Sequence, residues 1–273
     1  MNLGREKTQS SMHSAGFEIG GKMRVAVLSS GGKDSAYATW WSGLQGWEIV
    51  SIATVMVKGE DSMMFQLGNT WVAGLQACSM GIPWLPVISH GIEEEEISDL
   101  ERVLSGDSDT SKAFEEIWPS WVEVPQDMVL QKERPEIDGL VVGALRSDYQ
   151  KTRIERMCER LGIRSFCPLW HKNGKSHMQS LVEHGFDVVF TSVSTEGLGQ
   201  EWLGKKLDLE SLLDLRTLSR RHRFNMDGEG GEFETFVVNS PDMTCEIEYT
   251  GKPHWQGSRG IFKMDSCALR YHR

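Results

Sequence analysis

Six residues, Ser30-Gly31-Gly32-Lys33-Asp34-Ser35, set two glycines, two hydroxyls, a cation and a carboxylate between an apolar run and a helical pattern. Glycines let a backbone approach an anion closely. The N–H groups of the loop and of the first helical turn then point at it, helped by the helix dipole. Ser30 and Ser35 add hydroxyl donors, Lys33 reaches either phosphate or solvent, and Asp34 either caps the helix or helps hold a metal-bound phosphate. The chemistry of this string is phosphate binding. It is neither the longer G-x-x-x-x-G-K-[ST] loop that serves γ-phosphate transfer nor G-x-G-x-x-G.

Such a loop needs a strand to deliver it and a helix to receive it. "MRVAVLSS" is a short Val-rich run, as a buried parallel strand requires, and a helix follows over residues 34–44. "WEIVSIATVMV", "GIPWLPVI", "IDGLVVGAL" and "IRSFCPL" are four further strands. Helices are predicted over residues 69–80, over "IEEEEISDLERVL" with its glutamates on a solvated face, and over "SDYQKTRIERMCERLG". The last opens on a Ser or Asp cap and closes on Gly162. "SGDSDTSKAFEE" reads as a surface loop or insertion. This rhythm predicts an α/β fold: a parallel sheet of about five strands with helices on both faces, ligands lying beyond the strands' carboxyl ends. From Trp170 the rhythm changes, and "FETFVVNS", "CEIEYT" and "GIFKMDSCALR" read as strands of a smaller α+β C-terminal domain. The expected division is a flexible leader over residues 1–22, a nucleotide domain over 23–168 and a substrate-recognition domain over 169–273.

The formal charge of −10 makes free nucleic acid an unexpected partner. No apolar run approaches the length of a membrane span, and the first 22 residues lack the apolar centre of a signal peptide. The five cysteines form no C-x-x-C pair and are odd in number. They read as reduced thiols in a cytoplasmic protein.

"SGGKDS" after a strand resembles the pyrophosphate (PP) loop of the ATP pyrophosphatases, the adenine-nucleotide α-hydrolase group, whose members cleave ATP to AMP and pyrophosphate. Three later stretches narrow this: "GALRSDYQKTRIERMCERLG" (residues 143–162), "PLWHKNGKSHMQSLVEHGFDVVFTSVSTEGLGQEWLGKKLD" (168–208) and "GEGGEFETFVV" (228–238). With the loop, they resemble the diphthine–ammonia ligase (diphthamide synthetase) family over residues 24–241, the acidic glycine cluster being the most specific part. Gln66 and Trp71 stand where many relatives carry histidine.

The resemblance implies amidation of the diphthine carboxylate on translation elongation factor 2, with ATP, Mg²⁺ and ammonium, through an adenylated intermediate. It assigns Ser30, Gly31, Gly32, Lys33, Asp34 and Ser35 to the phosphates, Asp34 also to Mg²⁺, and Gly143 to close approach of the nucleotide. Tyr149 and Arg153, four apart on one helix face, are expected to border the adenylate. Glu229, Glu232 and Glu234 are candidates to bind ammonium and take its proton, with Glu232 placed first and Gly230 and Gly231 permitting close approach. Diphthine's quaternary ammonium suits aromatic faces, for which Trp170, Trp202, Phe233 and Phe236 are candidates. Without a glutaminase signature, free ammonium is the expected nitrogen source. The alternatives are a tRNA-modifying PP-loop ATP pyrophosphatase and a non-catalytic nucleotide sensor. Cys158 and Cys167 read as structural rather than thiolating.

Overall fold

The computed structural model describes residues 21–58, 69–90, 95–107, 109–144 and 146–271. The expected leader (apart from residues 21 and 22) and Gln66 lie outside them. Five parallel strands form the first sheet: β1 (Arg24–Leu28), β2 (Glu48–Val57), β3 (Trp84–Ser89), β4 (Gly139–Val142) and β5 (Arg164–Phe166), in the order β3-β2-β1-β4-β5. Alternation along β1 shows why helices cover both faces. Val25 and Val27 enter one apolar cluster with helices α1 (Lys33–Leu44) and α2 (Val72–Met80). Ala26 and Leu28 enter another with α3 (Glu95–Leu104) and α5 (Asp148–Leu161). The chain leaves β1 first toward β2 and later toward β4, so the sheet's topological switch lies between β1 and β4, where ligands of such folds bind.

Two expectations change. The "SGDSDTSKAFEE" stretch is largely helix α4 (Thr110–Ile117). The Asp109 carboxylate accepts from Lys112 N at 3.0 Å to cap it, while Phe114 and Ile117 turn onto the core around Trp84 and Trp118. Trp71 is buried in that aromatic group, edge-on to Trp118 and Trp121. In α3, Glu95 is exposed but Glu96 is buried, so the glutamate run is not one solvated face.

Beyond β5 come α6 (Gly174–Glu183), β6 (Asp187–Val193), a short 3-10 turn (Gln200–Trp202), α7 (Leu209–His222), β7 (Phe233–Asn239), β8 (Glu246–Gln256) and β9 (Arg259–Arg270). The four strands form an antiparallel sheet in the order β7-β6-β9-β8. One apolar cluster runs through both sheets, from Val27 and Tyr37 to Phe190 and Leu215. Tyr37 of α1 stacks on Phe186, and its hydroxyl meets Ser180 of α6 at 3.1 Å. Helix α1 is thus wedged between the halves, and even polar Lys33, Ser35, Thr39 and Ser42 on it are buried. Among the described residues no helix is long and apolar enough to cross a membrane, and all five cysteines are free thiols.

Candidate active site

The phosphate loop turns on Gly31, whose φ of +82° falls where L side chains are strained. Helix α1 then begins with Gly32 at its N-cap, which has no side chain to cap it, and its dipole end faces the cleft. Ser29 accepts from Gly31 N at 3.2 Å and donates to Ser35 Oγ at 3.0 Å, and Ser35 donates to Gly32 O at 3.1 Å. The distant half completes the loop. Gly31 O accepts from Val237 N at 3.0 Å and from Gln76 Nε2 at 2.9 Å, while Lys33 N donates to Thr235 Oγ1 at 3.2 Å.

A cleft of about 570 Å³ opens over this loop. The carboxyl ends of β1, β2 and β4 form its floor at Leu28, Val55 and Val142, and residues 228–231 with Phe233 to Thr235 form the opposite wall. Gly143 sits where α1 crosses β4. A Cβ there would lie 2.8 Å from Asp34 C and Ser35 N, so the close approach of helix α1 itself requires the glycine.

Asp34 is held from both sides. Lys33 Nζ lies 2.8 Å from one oxygen, and His177 Nε2 of α6 lies 2.7 Å from the other. A carboxylate cannot donate, so Nε2 carries the proton of that bond. Burial works to raise the Asp34 pKa, but the Lys33 charge and the His177 hydrogen bond outweigh it and hold the pKa below the usual value. Lys33 is only 5% exposed and turned inward, with its ammonium 5.5 Å from the Phe233 ring centre.

Across the cleft Glu229 is shifted the other way. Burial, then the charge of Asp34, push its pKa up to about 7, against the opposing pull of Lys33. Behind it, buried Asp227 is paired with Arg146 at 2.6 Å.

The structure separates the members of the acidic cluster, placing Glu229 and Glu234 but not first-ranked Glu232 at the cleft. Glu232 does not line the cleft; one oxygen accepts from Asn225 N and Nδ2, and the other accepts from Gly230 N at 2.7 Å. It ties its own loop together, while Glu229, Gly230, Gly231 and Glu234 line the cleft. Trp202 is corrected as well. At 2% exposure it lies in the core, edge-on to Phe190, out of reach of a substrate cation. Phe236 is buried against Tyr249, whereas Phe233 lines the cleft. Trp170 lies edge-on to His171 outside the cleft lining, under the Lys151 ammonium. On α5 the cleft-lining residues are Gln150 and Ile154, next to the N-cap Ser147. Tyr149 and Arg153 occupy the adjoining face, the guanidinium 3.5 Å from the ring centre.

His177, Arg146, Asp227 and Thr235 were not singled out from the sequence. His177 lies inside the "KSHMQS" helical pattern, and only the packing of α6 on α1 brings it to Asp34. Among the described residues no cluster of three or more His, Cys, Asp or Glu is set to hold a metal ion.

A parallel sheet, a glycine loop and an open helix N-terminus at the topological switch define an ATP-binding PP-loop site. The diphthamide synthase N-terminal domain model matches residues 23–112 and 115–165, and the C-terminal domain model matches residues 173–269. The chain therefore belongs to the diphthamide synthase family, as an ATP-dependent ligase. It is 32% identical over 230 residues to a diphthine–ammonia ligase of Bos taurus and 31% identical over 230 residues to that of Homo sapiens, each alignment covering 80% of both chains. A relative from Schizosaccharomyces pombe is 30% identical over 253 residues, covering 90% of this chain and 39% of that one. A solved structure titled a predicted subunit of tRNA methyltransferase from Methanocaldococcus jannaschii aligns at a TM-score of 0.36 and 16% identity, covering 80% of this chain and 99% of the other.

Proposed function

We propose that the chain is a cytoplasmic diphthine–ammonia ligase that amidates the diphthine carboxylate of translation elongation factor 2. The observation that carries this reading, beyond the family, is the pair of cleft carboxylates with opposite pKa shifts. Asp34 is held ionised beside the phosphate loop and Glu229 is poised near neutrality opposite it. The tRNA-modifying alternative gains nothing from the site.

A carboxylate does not react with ammonia until one oxygen becomes a leaving group. The PP loop and the α1 N-terminus hold the β- and γ-phosphates, so a substrate carboxylate oxygen attacks the α-phosphorus and pyrophosphate departs. Ammonia then attacks the acyl carbon, the acyl–oxygen bond breaks, and AMP leaves with that oxygen. Ammonium is the abundant form near neutral pH. Ionised Glu229 binds the cation and accepts its proton, freeing the nucleophile. Gln150 and Ile154 border the nucleotide, and Phe233, buried beside the Lys33 ammonium, backs the opposite wall. The chain's second half supplies Glu229, His177 and Thr235, and thus both finishes the nucleotide site and receives the protein substrate.

Mg²⁺ fits this donor set. A small hard cation bound mainly by phosphates and water needs only one or two protein carboxylates, and Asp34 is ionised and 24% exposed at the cleft. When bound it neutralises charge on the departing phosphates.

The test is mass spectrometry of diphthine-bearing elongation factor 2 after incubation with the protein, ATP, Mg²⁺ and ammonium. The expected result is a loss of about one dalton, the carboxyl-to-amide change, with AMP formed in equal amount. An unchanged mass on a verified substrate would refute the reading.

A further inference from the structure

The outer end of the β8–β9 ribbon carries a charge pattern that the catalytic cleft does not use. Between residues 250 and 264 lie Lys252, Arg259 and Lys263 but no acidic residue, in a chain whose net charge is −10. Lys252 pairs directly across the ladder with Lys263, His254 with Ile261, and Gln256 with Arg259. Alternation puts these six side chains on one face, and all six residues are exposed. On the opposite face the β9 residues are packed, Phe262 against Gly204 and Gly260 under Trp255 and Leu203, while Pro253 and Trp255 of β8 remain exposed. None of the three cations forms an ion pair among the described residues.

Like charges directly opposite on a ladder are destabilising. A lysine on edge strand β8 would be enough to discourage sheet-to-sheet aggregation. It does not explain Arg259 and Lys263 on inner strand β9, nor Ile261, 55% exposed among them. The face also has a position. Strand β9 pairs Gly260 and Ile261 with Val193 and Ser192 of β6. Ser194, the next residue, bonds Glu232 O and Gly231 O at 2.9 and 2.5 Å, in the loop that carries Glu229. The basic face thus continues from the cleft wall.

We propose that this face docks an acidic surface of the protein that carries the substrate carboxylate, seating that protein beside the cleft; the inference rests on the ligase reading. An apolar residue ringed by polar and charged ones suits a protein surface. A long nucleic acid would have to run off this small patch onto a predominantly acidic molecule.

The experiment replaces Lys252→Glu, Arg259→Glu and Lys263→Glu together and measures binding of labelled diphthine-bearing protein substrate by fluorescence anisotropy, without turnover. The dissociation constant is expected to rise about tenfold or more at low salt, with the wild-type salt dependence lost and the KM for ATP unchanged. Binding equal to wild type, or no measurable binding by wild type, would overturn the docking face. So would a 20-residue RNA probe that binds wild type more tightly than the protein does and is lost in the variant. Intact, variant-sensitive binding with no amidation by wild type would support the face and refute the ligase reading. If the triple variant does not fold, Arg259→Glu and Ile261→Ser are measured singly against the same outcomes.

Discussion

Asp34 and Glu229 face the same cleft with the same functional group, and their surroundings drive them apart. Asp34 stands in the first turn of α1 between an ammonium and an imidazole N–H, which stabilise its charge. Glu229 stands on a glycine loop where burial and the Asp34 charge favour its neutral form, with a pKa of about 7. The difference lies in the neighbours: they favour the charged form of Asp34 and the neutral form of Glu229.

Removing the anion gives the largest expected effect. Asp34→Asn leaves the buried Lys33 ammonium without its counter-charge and keeps a single acceptor oxygen where Lys33 and His177 now use two. AMP formation should fall by roughly a thousandfold. The Glu229 pKa should also drop, because the Asp34 charge helps raise it; NMR titration of labelled glutamate carboxyls checks this. An unmoved Glu229 would break the coupling between the two groups.

Glu229→Gln should lower amide formation by about a hundredfold and flatten the pH–rate profile near 7. Stability should move oppositely. The folded state binds the Glu229 proton more tightly than the unfolded chain does. The residue's contribution to stability is therefore lost as pH rises from the ordinary carboxylate range through about 7. Above that range the variant should be the more stable protein by about 1–3 kcal/mol, with the advantage vanishing at acidic pH. Asp34 runs the other way: its lowered pKa adds stability at neutral pH that is lost on acidification. Melting temperatures of wild type and variant across the pH range check the crossover.

The smallest effect belongs to Glu232→Gln. The side chain keeps one acceptor oxygen but loses the charge that collects Asn225 and Gly230. Amidation should fall by no more than about tenfold, with a KM shift and an unchanged pH profile. A loss exceeding that of Glu229→Gln would reverse the assignment of roles.

What the sequence disclosed and what it hid follows the same physical divide. The loop at residues 30–35 was legible because glycine spacing, a β-branched strand and a helical pattern are local signals. The five strands were legible by the same token, although α4 was not, since its apolar side is short and its partners Trp84 and Trp118 include a strand 26 residues before its start (residue 110 against 84). Sequence reasoning places Glu232 ahead of Glu229, because nothing local shows that the Glu232 carboxylate folds back onto Asn225 and Gly230 while Glu229 lines the cleft. Trp202 reads alike as a cage wall or a core residue until its burial against Phe190 is seen. His177 reaches Asp34 across 143 positions of chain, through packing rather than pattern.

The bond from Lys33 N to Thr235 spans 202 positions, and the Gly31 carbonyl is gripped by Val237. A nascent chain emerging from the ribosome therefore presents the glycine loop long before the strand that shapes it exists. The loop's full set of contacts is made only once β7 has been synthesised, 202 positions after the loop itself. A stop codon ahead of β7 would yield a polypeptide carrying every residue of the PP loop, with Gln76 and Ser29 but without the Thr235 and Val237 contacts that complete its clasp.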